Sequence, residues 1–183
     1  MEIITKNSLY NYSRESRFFS LNESISEVRN KSKITTDVTI FLSHKHSEKK
    51  ELESVIQLLK SLRVNIYVDW MDEEMPKSTS GITATRIKQK IRSSNKFILL
   101  ATEDAISSKW CNWELGIGDV HKYKDDIAIF PVKNNFSNYS GSEYLEIYPS
   151  IKLEDGIYYV VNPDGSKNRL LSWLLDLHNN FKK

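Results

Sequence analysis

Five short runs rich in β-branched and aromatic residues, separated by stretches of helical periodicity, constrain this chain more than any other feature. Val38-Thr39-Ile40-Phe41-Leu42, Phe97-Ile98-Leu99-Leu100-Ala101 and Ile127-Ala128-Ile129-Phe130-Pro131-Val132 are almost wholly apolar, as strands buried on both faces must be. Val64-Asn65-Ile66-Tyr67-Val68-Asp69 ends on a carboxylate, and Ile157-Tyr158-Tyr159-Val160-Val161 runs into the turn Asn162-Pro163-Asp164-Gly165. Between the runs, Leu52, Val55, Ile56, Leu58, Leu59 and Leu62 recur at helical spacing. Ile87 and Ile91 mark a second helix, a third spans about Ser108 to His121, and Leu170, Leu171, Leu174, Leu177 and Phe181 stripe a closing one. Residues 133 to 156 read as irregular. Strands that alternate with helices demand right-handed crossovers and a parallel sheet. The predicted fold is α/β: a flavodoxin-like, doubly wound, parallel five-stranded sheet with helices on both faces.

Composition narrows the function. In 183 residues, 26 Lys+Arg stand against 24 Asp+Glu, a net charge of +2, which excludes the basic footprint of a dedicated nucleic-acid binder. One cysteine supports neither a disulfide framework nor a cysteine-based zinc site within the chain. Six glycines argue against a Gly-rich phosphate loop. No stretch approaches the roughly 18 apolar residues of a membrane span, and the opening Met1-Glu2-Ile3-Ile4-Thr5-Lys6 lacks a signal-peptide core. The expected address is therefore cytoplasmic, without membrane or nucleic acid as partner. Residues 1–35 read as a polar extension, with Phe18, Phe19, Leu21 and Ile25 its apolar cluster, that packs on the main domain of 36–183 or on a partner.

Ligands of open parallel sheets gather beyond the C-terminal strand ends. Those ends carry Ser43-His44-Lys45 after the first strand and Asp69-Trp70 after the second. Trp110 and Glu114 are four apart and share a face of the third helix, near its partially positive N-terminus. An aromatic plate beside a carboxylate suits a small-molecule site. His44 and His46 suggest a metal pair at i, i+2, but the neighbouring sequence offers no acidic or thiol ligand, so no metal is expected. Asp69 as a receiver-type phosphoacceptor would need an acidic pair after the first strand, and Ser43-His44-Lys45 is none. Asp69 is read either as a ligand contact or as a cap of the following loop. Cys111 reads as a small buried residue and Trp173 as packing. Lys88, Lys90, Arg86 and Arg92 read as a solvated helix face. Trp113, with Ile117 and Val120, fits the core stripe, which leaves Trp110 for the pocket.

These residues resemble Toll/interleukin-1 receptor (TIR) domains. Phe41-Leu42-Ser43-His44, followed by Ser47-Glu48-Lys49, is similar to the first box of that family. Asp69 resembles its acidic position before the BB loop, and Ser107-Ser108-Lys109-Trp110-Cys111-Asn112-Trp113-Glu114-Leu115 resembles the S-x-W-C-x-x-E-L signature of enzymatic members. The resemblance covers about residues 36 to 181 and implies cleavage of NAD⁺ at the nicotinamide–ribose bond. It implies Glu114 as the catalytic residue and Trp110, Ser43, His44, Lys45 and Asp69 as substrate-binding residues, with NAD⁺ as substrate and no cofactor or metal. The BB loop, Met71 to Gly81, lacks the adjacent Pro-Gly pair of many TIR domains.

The resemblance extends to the small TIR proteins of Thoeris-type anti-phage systems. It implies an ADP-ribosyl cyclase or NAD⁺ glycohydrolase that assembles through TIR–TIR contacts, answers a phage-derived trigger and feeds a separate effector. The chemistry is economical, because nicotinamide leaves neutral and needs no general acid. The oxocarbenium-like transition state asks chiefly for a carboxylate and an aromatic face. Two other readings fit the fold: a non-catalytic TIR interaction module, and a nucleoside deoxyribosyltransferase-like N-glycosidase.

Overall fold

The computed structural model describes residues 1–15, 38–72, 81–122, 124–135, 139 and 141–176. The chain opens with β1 (Ile4–Thr5) and α1 (Lys6–Glu15). It continues through β2 (Thr39–Ser43), α2 (Lys49–Ser61), β3 (Asn65–Tyr67), α3 (Gly81–Ser93) and β4 (Lys96–Ala101). A helical turn, Glu103–Ile106, leads into α4 (Lys109–His121) and β5 (Ile127–Lys133). Then follow β6 (Ser150–Glu154), β7 (Ile157–Val161), β8 (Lys167–Arg169) and α5 (Leu170–Leu175). Phe18, Phe19, Leu21, Ile25, most of the BB loop, Leu177 and Phe181 lie outside the described residues.

The strand order is β3-β2-β4-β5-β6-β7-β8, with β1 added beside β5. From β3 to β6 every pairing is parallel, which is the expected doubly wound core of five strands. Side chains alternate across it with period two. Ile40, Leu42, Ile98, Leu100, Ala128 and Phe130 enter the core under α1, α2 and α5. Phe41, Phe97, Leu99, Ile127 and Ile129 enter the core under α3 and α4. With helices on both faces there is no polar side to the strands, which is why the sequence runs are continuously apolar. Phe41 stacks between Tyr67 and Phe97 at centroid distances of 5.5 and 5.6 Å. Gly118 lets α4 close on Phe97, because a Cβ there would stand 3.2 Å from the ring.

The fifth parallel strand is not the one expected. Ile157–Val161 pairs antiparallel with β6, and Ser150–Glu154, within the stretch read as irregular, lies parallel to β5. The cause is the two-residue Asp155-Gly156 turn, with φ of +50° and +77°, the left-handed conformations of a tight hairpin. Among the described residues the sheet has eight strands, with β7 and β8 antiparallel additions beyond β6. β1 and the first turns of α1 pack against β5 and α2. Ile4 pairs with Val132, and Ile4 and Leu9 are fully buried. Lys6 bridges Glu51 at 3.0 Å and Glu48 at 3.7 Å. The Tyr10 hydroxyl donates to Glu51 at 2.6 Å.

At the N-terminal edge of the parallel strands, Lys96 is fully buried and donates to Asp126 at 2.5 Å and to the Asp176 carbonyl at 2.7 Å. Its ammonium also lies 4.7 Å from the centroid of the Trp173 ring, whose indole N–H donates to the Asp125 carbonyl at 2.6 Å. Trp173 packs as expected, and this polar knot adds to its role. Removing one partner of a buried pair leaves an uncompensated charge, which costs about 3–5 kcal/mol. Asp126→Ala is expected to lower unfolding free energy by that order in a urea titration, and Lys96→Met with Asp126→Leu to recover much of it.

Candidate active site

Ser43 closes β2, the strand from which the chain steps to β3 on one side and returns to β4 on the other. That reversal opens a crevice at the C-terminal ends of the strands. Helix α4 starts there because Ser108 caps it, its hydroxyl accepting the Cys111 amide at 3.4 Å. The Cys111 thiol donates to the His44 carbonyl at 3.3 Å and fixes the helix start against the loop. Burial pushes that thiol up to about 11, so it stays protonated and is no nucleophile, in keeping with the structural role expected.

One and a half turns into α4, Glu114 is 2% exposed and accepts a 2.6 Å hydrogen bond from the Ser43 hydroxyl. Burial pushes its carboxyl up to about 8, and the nearby charge of Asp69 adds to the rise. The hydrogen bond from Ser43, the charge of His46 and, least of all, the neighbouring polar edge of Trp110 oppose it. Trp110 and Trp113 are both half-buried, pack on the core under α3 and α4, and stand 4.8 Å apart between ring centroids. The division into one core tryptophan and one pocket tryptophan is thus softer than the spacing implied, since both pack on the same core.

His44 is buried, with Nδ1 3.2 Å from the Leu42 carbonyl. A carbonyl can only accept, so Nδ1 carries the proton and Nε2 keeps its lone pair. Burial lowers the pKa of this imidazole, so the ring is neutral. Nε2 lies 3.9 Å from Asp69 Oδ1. His46 is exposed, yet its Nε2 lies 3.0 Å from Asp69 Oδ2, and that bond raises its pKa. The β2–β3 register, Phe41 opposite Tyr67, puts residues 43 to 46 beside Asp69, so an acidic group does stand next to the histidine pair. Lys45 is half-buried, and its carbonyl accepts the Glu48 amide at 2.9 Å. Lys90 and Lys88, read as a solvated face, lie over the Tyr67 and Trp113 rings at 4.8 and 5.7 Å.

Sequence reasoning did not foresee the support behind β2. Glu48 is buried, which raises its pKa, and it accepts a short hydrogen bond from Thr102, just beyond the end of β4. The Thr102 hydroxyl also accepts the Ala105 amide at 3.1 Å and caps the helical turn before α4. The available signal was the place of Thr102 at a strand terminus. Asn112, inside the α4 signature, accepts from the Tyr144 hydroxyl and donates to the Ile106 carbonyl at 2.8 Å.

A family model of the TIR domain matches residues 40–159. The chain belongs to the TIR domain family. Among relatives of this TIR domain is a Bacillus cereus (strain MSX-D12) protein whose name reads probable 3′ cyclic ADP-D-ribose synthase ThsB′. It is 30% identical over 163 residues, 82% of this chain and 83% of the relative. A Methanobrevibacter olleyae protein named probable 2′ cyclic ADP-D-ribose synthase TcpO is 31% identical over 87 residues, 47% of this chain and 24% of that longer protein. Among the described residues of the TIR domain, no helix is long and apolar enough to cross a membrane.

A carboxyl whose folded pKa exceeds its unfolded value binds its proton more tightly when folded. Its contribution to stability is full below the unfolded pKa and is lost as pH rises through the folded value. For Glu114 that loss runs from the ordinary carboxylate range to beyond about 8. Glu114→Gln keeps the acceptor for Ser43 without the ionisation. It is expected to raise the melting temperature at pH 9 by roughly a few degrees and to change it little at pH 5, as read by thermal denaturation across pH.

Proposed function

We propose that this TIR domain cleaves the nicotinamide–ribose bond of NAD⁺ and closes the ADP-ribose moiety into a cyclic product. The observation that carries the reading is the buried Glu114 carboxyl held by Ser43 at the sheet's C-terminal edge. It stands in a chain 30% identical, over most of its length, to a protein named as a cyclic ADP-ribose synthase. As the C–N bond breaks, its electron pair leaves on neutral nicotinamide and C1′ becomes positive. The ionised Glu114 stabilises that charge, and Trp110 offers its face to the cationic ring. Ser43 orients the carboxylate, while His44, Lys45 and Asp69 border the ribose and phosphates.

Cyclisation then forms a C–O bond from a ribose hydroxyl of the same molecule, and that hydroxyl must lose its proton. A carboxylate with a pKa near the working pH is suited to take it. With water as the acceptor the same step gives ADP-ribose. The reading further places the protein in the cytoplasm, in antiviral signalling. There, TIR–TIR assembly answers a phage-derived trigger and the product acts on a separate effector.

Purified protein incubated with NAD⁺, with products resolved by chromatography and mass spectrometry, tests the reading. Nicotinamide and a cyclic ADP-ribose isomer are expected, and Glu114→Gln is expected to lower turnover by at least about 10²-fold. Turnover unchanged in that variant would sink the assignment of Glu114, and none under any assembly condition would favour an interaction module. Because the ionised form reacts, kcat/KM should rise with pH along a limb near 8. Ser43→Ala, which removes a hydrogen bond favouring the carboxylate, should move that limb upward. A limb that stays in place assigns Ser43 no part in tuning Glu114.

A further inference from the structure

We propose that His44, His46 and Asp69 form a binding site for a divalent cation of the zinc class, with three protein ligands and an open fourth position. One ligand atom from each residue lies within 4.8 Å of the others. Tetrahedral zinc with bonds of about 2.0–2.1 Å sets its ligands about 3.3 Å apart. His46 Nε2 stands 3.0 Å from Asp69 Oδ2 and His44 Nε2 stands 3.9 Å from Asp69 Oδ1, and with one atom from each residue the set spreads to at most 4.8 Å, so binding draws the three side chains together.

The state of His44 is the second, independent observation. The ring is 5% exposed, and its Nε2 has no hydrogen-bond partner among the described residues. Its Nδ1–H is spent on the Leu42 carbonyl, the outer contact that orients a metal-binding histidine and aims its other nitrogen. That lone pair faces a carboxylate oxygen. Two acceptors facing each other repel, and a cation between them converts the repulsion into attraction. Two imidazoles with one carboxylate favour zinc over magnesium or calcium, which prefer all-oxygen sets.

The cation would sit beside the Ser43–Glu114 pair, where the nucleotide is proposed to enter, and so would inhibit turnover. That consequence rests on the function proposed above, while the binding does not. Chelator-treated full-length protein titrated with ZnCl₂ in a calorimeter is expected to take up one equivalent. Co²⁺ should give the intense visible bands of a four-coordinate ion. His46→Gln, an exposed substitution that spares folding, should weaken binding at least ten-fold, as should Asp69→Asn, while His121→Gln should leave it unchanged. No saturable binding, or His46→Gln and Asp69→Asn variants that bind like the parent, would overturn the site. Stoichiometric zinc that leaves NAD⁺ consumption unchanged would overturn the inhibition. A protein inert toward NAD⁺ with and without chelator would instead count against the proposed reaction and leave the calorimetric result standing.

Discussion

The parallel pairing of β2 with β3 on one side and β4 on the other is the constraint from which the rest of the structure follows. A strand hydrogen-bonded on both edges and covered on both faces has no surface left for polar side chains except at its ends. The polar atoms of Ser43, His44 and Lys45 are therefore gathered at one tip of the sheet. The same pairing decides what they meet there. The β3 register delivers Asp69, and the crossover that returns to β4 sends the chain through the helical turn into α4, delivering Glu114.

Keeping a carboxyl as buried as Glu114 runs against desolvation, and the surroundings offset that only in part. Ser43 donates to it, but the charge of Asp69 works the other way. The result is a group poised between neutral and ionised states near physiological pH. A site optimised for stability alone would place glutamine or an apolar side chain there. The Lys96–Asp126 pair shows the opposite balance at the other edge of the sheet, where a counter-charge, a carbonyl and an aromatic face all meet the buried ammonium.

Much of this was legible in the residues. The continuously apolar runs at 38–42, 97–101 and 127–132 announced a sheet covered on both faces, and the spacing of Trp110 and Glu114 announced a shared helix face. The hairpin was missed although its signal was present. Asp155-Gly156 sits between Ile151 and Leu153 on one side and Tyr158 and Val160 on the other, which is a tight turn flanked by alternating apolar residues. The proximity of Asp69 to His44 and His46 is invisible in linear spacing, because 23 residues separate His46 from Asp69. It becomes predictable once the two strands are known to be parallel neighbours with a fixed register. Support such as Thr102 with Glu48 depends on side-chain burial, which periodicity does not specify.

The two-residue strand β1 has a consequence for how the chain comes together. Ile4 cannot pair until Val132, more than a hundred residues further along the chain, is available. The isolated bridge from Glu2 to Leu153 waits longer still. Contacts this distant in sequence form only after intervening chain has been ordered, so the pairing of β1 with β5 is a late addition to a sheet whose central parallel strands meet across far shorter separations.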